Sequence, residues 1–265
     1  DGAPHMSYIC EQIDHTIDGG SITFDYFPST RHRASIYASA QGIDRASYFG
    51  TDMNPNAYGT TRDMMLVAGG QYTYKYKAGL PAELTAGAEY NFNSLNDYYI
   101  ATQRRLDQQT YTVGIFAQNE WKSEKVNFLV GFRLDKHNMI DRPIFAPRAN
   151  VRYSPIEDLG LRLSYSSGYR APQAYNEDLH IDALNHSVSI IEIDPNLRPE
   201  FSHSFSASAD YYHNFGRVQT NILVEGFYTM LNDVFTLENT REETDAEGNN
   251  FIYKIRRNAA GARIG

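Results

Sequence analysis

The sequence predicts an all-β protein, and specifically an antiparallel transmembrane β-barrel. Three observations lead to this prediction. Apolar and polar residues alternate over long segments, the connections between these segments are alternately short and long, and aromatic residues make up 13% of the 265-residue chain. Alternation gives each strand one apolar and one polar face, which suits a wall between lipid and a wet lumen.

The alternation predicts ten strands and sorts the side chains of each strand onto two faces. The strands are expected near residues 20–27, 32–47, 62–76, 82–95, 108–121, 126–137, 147–154, 160–169, 201–213 and 217–231, with weaker ones near 233–238 and 251–257. The expected lipid-facing set in two strands is Leu84, Ala86, Ala88, Val126, Phe128 and Val130. The expected inward set is Glu83, Glu89, Asn127 and Arg133.

The connections alternate in length along the chain. Short turns are expected at 28–30, 77–81, 122–125, 155–159 and 214–216, and long loops at 48–61, 96–107, 138–146, 170–200 and 239–250. A transmembrane barrel has short turns on its periplasmic edge and long loops on its outer edge. A soluble extracellular all-β binding domain, which does not need this asymmetry, is the alternative.

The ends of the chain predict a piece of a larger barrel. Residues 1–18, which open with "DGAPHM", are expected to be an incomplete start or a segment added by cloning. Residues 19–265 then form the barrel part, whose ten to twelve strands would enclose only a modest pore. A net charge of −8 argues against nucleic-acid binding. The single cysteine, Cys10, excludes a disulfide framework and a cysteine-built metal site.

Two stretches around the longest loop resemble the TonB-dependent receptors of the bacterial outer membrane, and more narrowly the Bacteroidetes type. They are "SYSSGYRAPQAYNEDLHI" at 164–181 and "DPNLRPEFSHSFSASADYY" at 194–212. The stretches "LPAELTAGAEYNF", "GFRLDKHNMI" and "PRANVRYSP" are similar to barrel strands of the same family. The resemblance implies about 10–12 strands of a 22-stranded barrel, whose plug domain is absent from this sequence.

The same resemblance implies a function and partners. Such receptors lie in outer-membrane lipid and take up a scarce metal-containing solute, using energy from TonB–ExbB–ExbD through the missing N-terminal part. The favoured solutes are heme and a ferric siderophore, with cobalamin as the alternative. A surface-exposed lipoprotein that delivers the solute is a further expected partner. No intrinsic cofactor is expected.

Two short boxes flank the long loop and are similar to those of heme receptors. The first box matches the YRAP form and consists of Tyr169, Arg170, Ala171 and Pro172. The second box has Asp where the family has Asn, and consists of Asp194, Pro195, Asn196 and Leu197. Two histidines lie between the boxes, and their placement implies that His186, ahead of His180, ligates heme iron.

Residues 170–200 are predicted to fold over the barrel mouth and to help capture the solute. A hairpin needs only two to five residues, and the apolar run from Val188 to Ile193 needs cover. If heme is bound, Arg170 and Arg198 are candidates for pairing with its propionates, and Tyr169 lies beside them. The alternatives are a solvated loop histidine, and an Arg170 that pairs with loop or plug carboxylates.

Acidic residues are frequent in the long loops, and solvated surface is their simplest explanation. Loop Ca²⁺ is a second explanation, but "REETDAEGNN" at 241–250 lacks the spacing of an EF-hand loop. No nucleophile elbow, zinc helix motif or phosphate loop is present, so no enzyme is expected. An outer-membrane barrel enzyme is therefore the least favoured alternative.

Overall fold

The computed structural model describes residues 3–51, 53–101, 103–175, 187–244 and 250–265. After a short 3₁₀ turn at Pro4–Met6, every regular element is a β-strand. In the described residues, no helix has the length and apolar character needed to cross a membrane.

Fourteen strands follow one another in the residues that the structure describes. They are β1 (Ile9–Ser29), β2 (His32–Thr51), β3 (Tyr58–Ala78), β4 (Leu80–Tyr99), β5 (Arg104–Lys122), β6 (Val126–His137), β7 (Ile144–Ile156), β8 (Leu159–Arg170), β9 (Ser187–Ile193), β10 (Glu200–Phe215), β11 (Val218–Asn232), β12 (Phe235–Thr244), β13 (Asn250–Asn258) and β14 (Ala262–Ile264).

Eleven of these strands form one antiparallel sheet, and three form a second sheet. The large sheet has the order β1 to β8, then β10, β11 and β14, so that β9 alone is skipped between β8 and β10. The small sheet has the order β12-β13-β9. The large sheet is a curved wall that does not close on itself within the described residues, which is consistent with part of a larger barrel.

All five predicted short turns lie on one edge of the large sheet, as expected. The strands that they join pair as antiparallel neighbours, from β1–β2 through β10–β11. Gly79 (φ 72°) and Gly216 (φ 64°) occupy two of these turns in the left-handed region, where a side chain would be strained. The prediction that short turns lie on one edge is confirmed.

The predicted loops at 48–61 and 96–107 are wrong over most of their length. β2 continues to Thr51 and β4 to Tyr99, while β1 begins at Ile9 rather than near residue 20. In the first of these segments the adjacent residues Tyr48 and Phe49 are both buried. The period-2 alternation is therefore lost from the sequence although the backbone ladder continues.

The wall is uneven in height. Strands β2 to β5 have 19 to 21 residues, whereas β6, β7 and β8 have only 12 or 13. At about 3.3 Å per residue, seven residues correspond to roughly 20 Å along a strand. The outer edge is therefore low above β6–β8, and other segments cover this gap.

The two predicted sets of side chains lie on opposite faces. Phe128 and Val130 are exposed on the outward face, at 38% and 42%. On the inward face Arg133 donates to Glu89 at 3.2 Å and to Asp135 at 2.7 Å, and the Tyr37 hydroxyl donates to Glu89 at 2.6 Å. This network joins three strands, β2, β4 and β6, across the inner wall.

The two faces of β6 should respond differently to a charge, and adjacent residues provide the test. Val130→Arg places a guanidinium in hydrocarbon and should destabilise the receptor by about 2–4 kcal/mol. Leu129→Arg points inward beside Glu120 and Asn150 and should be tolerated. Urea unfolding of both variants in lipid vesicles measures the difference. Equal destabilisation would contradict the assignment of faces.

Candidate functional site

The first box ends β8 and anchors the start of the long loop. Tyr169 and Arg170 are the last residues of β8, and Ala171 is 6% exposed. Ala171 packs in a small apolar cluster with Ile140 and Ile144. The box therefore forms the point where the chain leaves the wall, in agreement with the predicted strand end before Pro172.

Arg170 lies between two aromatic rings. Its guanidinium carbon is 4.0 Å from the centre of the Tyr175 ring and 5.4 Å from that of Phe235. Arg256 approaches Tyr175 as well, at 5.7 Å. Burial raises the pKa of the Tyr175 phenol, whose hydroxyl donates to the Ala171 carbonyl at 2.7 Å. Arg170 thus connects the loop to the β12–β13 hairpin through cation–π contacts.

The second box is a turn that connects β9 to β10. The Asp194 side chain accepts from the Asn196 backbone N–H at 2.8 Å, and the Asp194 carbonyl accepts from Leu197 at 2.9 Å. Asparagine has the same side-chain acceptor, so the turn is retained with Asp at this position. The departure from the family's Asn is therefore neutral for local structure.

Arg198 closes the base of the loop. Its side chain is 69% exposed and pairs with Asp233 at 2.5 Å. Its backbone N–H donates to the Asn258 side chain at 2.8 Å, and Asn258 donates in turn to the carbonyls of Arg198 and Asp233. These contacts hold the end of the long loop against the β11–β12 turn.

The long loop contributes a strand to the following hairpin. β9 pairs in parallel with β13, and Ile190, opposite Tyr253, is 5% exposed. Arg241 of β12 pairs with Glu192 at 3.1 Å and lies 3.7 Å from the Tyr253 ring centre. The apolar segment that was predicted to need cover is strand β9, and its pairing with β13 provides this cover. The sequence did not predict this strand, because its partner lies about 60 residues away.

The first part of the same loop is bound to β5. Gln108 donates to the Ala174 carbonyl at 3.3 Å, and the Ala174 N–H donates back to Gln108 at 2.7 Å. Between Arg170 and this contact the chain has passed the low tips of β6 and β7. The loop therefore spans the gap in the wall from β8 to β5.

A cavity of about 420 Å³ separates the small sheet from the outer end of β5. Its lining combines apolar side chains with arginine and tyrosine. The lining includes Arg104, Leu106, Ala174, Ile190, Ile193 and Tyr253. An apolar cavity with a few polar groups is the usual form of a small-molecule site.

A buried polar cluster lies in the wall beside this cavity. Asp97, 6% exposed, accepts from Thr61 at 2.6 Å and from Arg45 at 3.4 Å, and lies 4.0 Å from Arg104. Within these four residues one carboxylate faces two guanidiniums. The cluster therefore brings two guanidiniums close to the cavity. The sequence does not reveal this cluster, because its members come from four strands.

An aromatic cluster supports the outer ends of β2, β3 and β4. Tyr48, Phe49 and Tyr99 are each at most 2% exposed and pack around Ala57. The Tyr99 hydroxyl donates to the Phe49 carbonyl at 2.9 Å, and burial raises the pKa of this phenol. This packing keeps the tall part of the wall ordered above the lipid.

The predicted iron ligands His180 and His186 lie outside the described residues, as do 245–249 of the weak Ca²⁺ candidate. Across the ranges that the structure describes, no three His, Cys, Asp or Glu side chains are grouped to hold a metal ion. The heme-iron and Ca²⁺ assignments therefore stay predictions.

An antiparallel wall with one apolar face, one polar face and short turns along one edge is the form of an outer-membrane β-barrel. Residues 12–264 match the family "TonB dependent receptor-like, beta-barrel". The chain therefore belongs to the TonB-dependent receptor β-barrel family. A search with the sequence found no match among curated proteins.

Solved structures of siderophore receptors have the same fold. The receptor PirA from Pseudomonas aeruginosa is 15% identical, with a TM-score of 0.76 over 96% of this chain and 46% of PirA. A PfeA variant from the same organism, in complex with enterobactin, is 15% identical, with a TM-score of 0.74 over 95% of this chain and 40% of PfeA. The ferric-catecholate receptor Fiu from Escherichia coli K12 is 10% identical, with a TM-score of 0.65 over 96% of this chain and 44% of Fiu.

This chain spans less than half the length of those receptors. Receptors of this family lie in the outer membrane, work with TonB–ExbB–ExbD and are transporters rather than enzymes. The predicted fold class, location and absence of enzyme activity are therefore confirmed at the level of the family.

The buried cluster around Asp97 should be important for the outer end of the wall. Asp97→Asn removes the buried carboxylate that Arg45 and Arg104 share, which should weaken local stability by about 3 kcal/mol. Amide hydrogen exchange in residues 94–106 should accelerate accordingly. Asp44→Asn removes an exposed pair and is the matched control, with little expected effect. Unchanged exchange in Asp97→Asn would contradict a structural role.

Proposed function

We propose that the complete receptor containing this chain takes up a ferric siderophore. The observation that supports this proposal best is the cavity at the mouth, where Arg104 and Tyr253 stand beside an apolar lining. Many ferric siderophores are anionic chelates with apolar or aromatic ligand arms. A site for them needs positive charge and apolar contact surface in the same place.

Two guanidiniums beside the cavity support an anionic solute. Those of Arg45 and Arg104 both lie within 4.0 Å of Asp97. Arg104 is both a member of this cluster and part of the cavity lining, with a side chain 13% exposed. In a partly buried site, charge–charge attraction is less screened than at an open surface.

The similar solved structures are in keeping with a siderophore as the solute. PirA, PfeA and Fiu are siderophore or ferric-catecholate receptors, and one PfeA variant is bound to enterobactin. At 10–15% identity they support the fold of this chain alone. The proposed solute class therefore rests on the cavity and the arginine side chains beside it.

Heme is the second candidate, and the two boxes favour it. Both boxes lie at the base of the same loop, and His180 and His186 lie in the sequence between them. In this alternative His186 ligates the iron, and Arg170 and Arg198 pair with the propionates. Arg198 is exposed enough to exchange Asp233 for a propionate. Cobalamin ranks third, since no described residue favours it.

Two partners complete the proposal. A surface-exposed lipoprotein would deliver the solute to the mouth, where the β12 edge of the small sheet is exposed. Energy would come from TonB through the part of the receptor that precedes the barrel. Bound Ca²⁺ at the acidic loops would be an accessory ion.

Arg104→Ala should test the siderophore site directly. In the complete receptor this change removes one positive charge from the cavity and should weaken binding of a ferric catecholate about tenfold. Fluorescence quenching during titration measures the affinity. Arg62→Ala removes an equal charge from the outer surface of the wall and should leave affinity unchanged. Equal affinities of wild type and Arg104→Ala would refute the site.

The heme alternative has its own test. Cells that depend on heme should lose most growth with His186→Ala and little with His180→Ala, while both variants insert normally. Heme-dependent growth that neither substitution affects would remove the ligand role. Deleting residues 176–192 tests whether this loop helps to capture the solute. Unaltered uptake of every solute would show that the loop is only a connection between strands.

A further inference from the structure

The start of the long loop is docked on the outer ends of β5 and β6. In this docked segment, residues 171–175, two successive residues each meet one wall side chain. Gln108 of β5 exchanges two hydrogen bonds with the Ala174 backbone, at 2.7 and 3.3 Å. His137, the last residue of β6, hydrogen-bonds to the Gln173 side chain. Because Ala174 is 3% exposed and lines the cavity, the docked segment forms one side of the proposed solute site.

The contact at His137 lies above the lipid. Along β6 the outward apolar side chains end at Leu134, and the next outward residue is Lys136. The Lys136 ammonium donates to the carbonyls of Ile140 and Asp141 in the turn after β6. His137 is one residue further along and is therefore outside the hydrocarbon, where protons can be exchanged with water.

The turn after β6 fixes the protonation state of His137. The Met139 backbone N–H donates to His137 Nδ1 at 3.1 Å, so this nitrogen accepts and carries no proton. The proton of the neutral ring is then on Nε2, which is left to donate to Gln173. His137 is only 5% exposed, and Ile140 of the same turn packs with Ala171 of the docked segment.

The surroundings of His137 disfavour an imidazolium. Burial lowers the pKa of His137 and the Lys136 ammonium lowers it further, against the opposite effects of Gln173 and Asp135. Asp135 is also engaged by Arg133, which donates to it at 2.7 Å. Burial raises the pKa of the nearby Tyr169 phenol to about 12, so it stays neutral. Within the described residues, the other strands packed here therefore present uncharged groups, namely Thr112 of β5, Ile144 of β7 and Tyr169 of β8.

We propose that His137 is a positioning residue of the solute site, whose neutral ring keeps the docked segment on the wall and whose protonation in mild acid releases it. A protonated Nδ1 would face the Met139 N–H, which places two donors together without an acceptor. The cation would also be shut away from water. Release of the segment returns the ring to water, so the imidazolium favours the released state. The link to solute binding rests on the function proposed above.

The direction of the pH effect follows from the pKa of His137 in the two states. This pKa is lowered in the docked state and returns to its ordinary value of about 6.5 on release. The docked state therefore keeps its full stability above about pH 6.5 and loses it as the pH falls from there toward the lowered pKa. One unit below 6.5, the equilibrium between the docked and released states shifts by up to about tenfold.

Amide hydrogen exchange in the complete receptor without solute tests the docking. In wild type, protection of residues 171–175, corrected for the intrinsic effect of pH on exchange, should fall up to about tenfold from about pH 7.5 to about pH 5.5. His137→Gln and His137→Asn cannot titrate, and each should show the same protection at both pH values. His213→Gln removes a histidine that pairs with Asp158 at the opposite edge and should behave like wild type. Protection that is independent of pH in wild type, or a pH dependence that persists in both His137 variants, would overturn the proposal.

Titration of the same receptors with ferric enterobactin tests the link to the solute site. The ratio of wild-type to His137→Gln affinity cancels the effect of pH on the chelate, and it should fall up to about tenfold at about pH 5.5. A ratio that is the same at both pH values would overturn the positioning role. If no variant binds the chelate at about pH 7.5, the proposed solute is wrong, and the exchange experiment still decides whether His137 holds the docked segment.

Discussion

The structure depends on an unbroken ladder of backbone hydrogen bonds between neighbouring strands. In hydrocarbon no water can satisfy a backbone N–H or C=O group, so each must pair within the protein. Ten strands pair continuously from β1 to β11, apart from β9, to meet this requirement. The requirement explains the length of the strands, their opposite faces and the short turns at one edge.

The same ladder extends above the lipid, where it builds the candidate site. On the tall side, β2 to β5 remain paired after the period-2 alternation has ended. On the low side, the loop after β8 covers the gap and becomes a strand by pairing with β13. The cavity lies between the outer end of β5 on the tall side and the small sheet on the low side. The solute site that we propose is therefore a consequence of unequal wall height.

The two sequence boxes can be recognised from the sequence, whereas the residues of the candidate site cannot, and the difference has a physical reason. The Tyr169–Pro172 and Asp194–Leu197 boxes were recognisable because each is a local turn or strand end with its own chain-adjacent hydrogen bonds. Asp97 and Arg104 gave no comparable pattern. Their partners come from other strands, and a charged residue within a polar outer segment looks like ordinary solvated surface.

The sequence by itself determined the all-β class, the two faces of each strand and the order of the short turns, and its boxes suggested the receptor family. These features depend on period-2 alternation and local turn chemistry. Only the tertiary structure decided where strands continue above the lipid, that β9 joins β13, and that Arg45, Asp97 and Arg104 meet beside a cavity. Those features depend on pairing between distant segments. The register between neighbouring strands cannot be read from the residues of either strand alone.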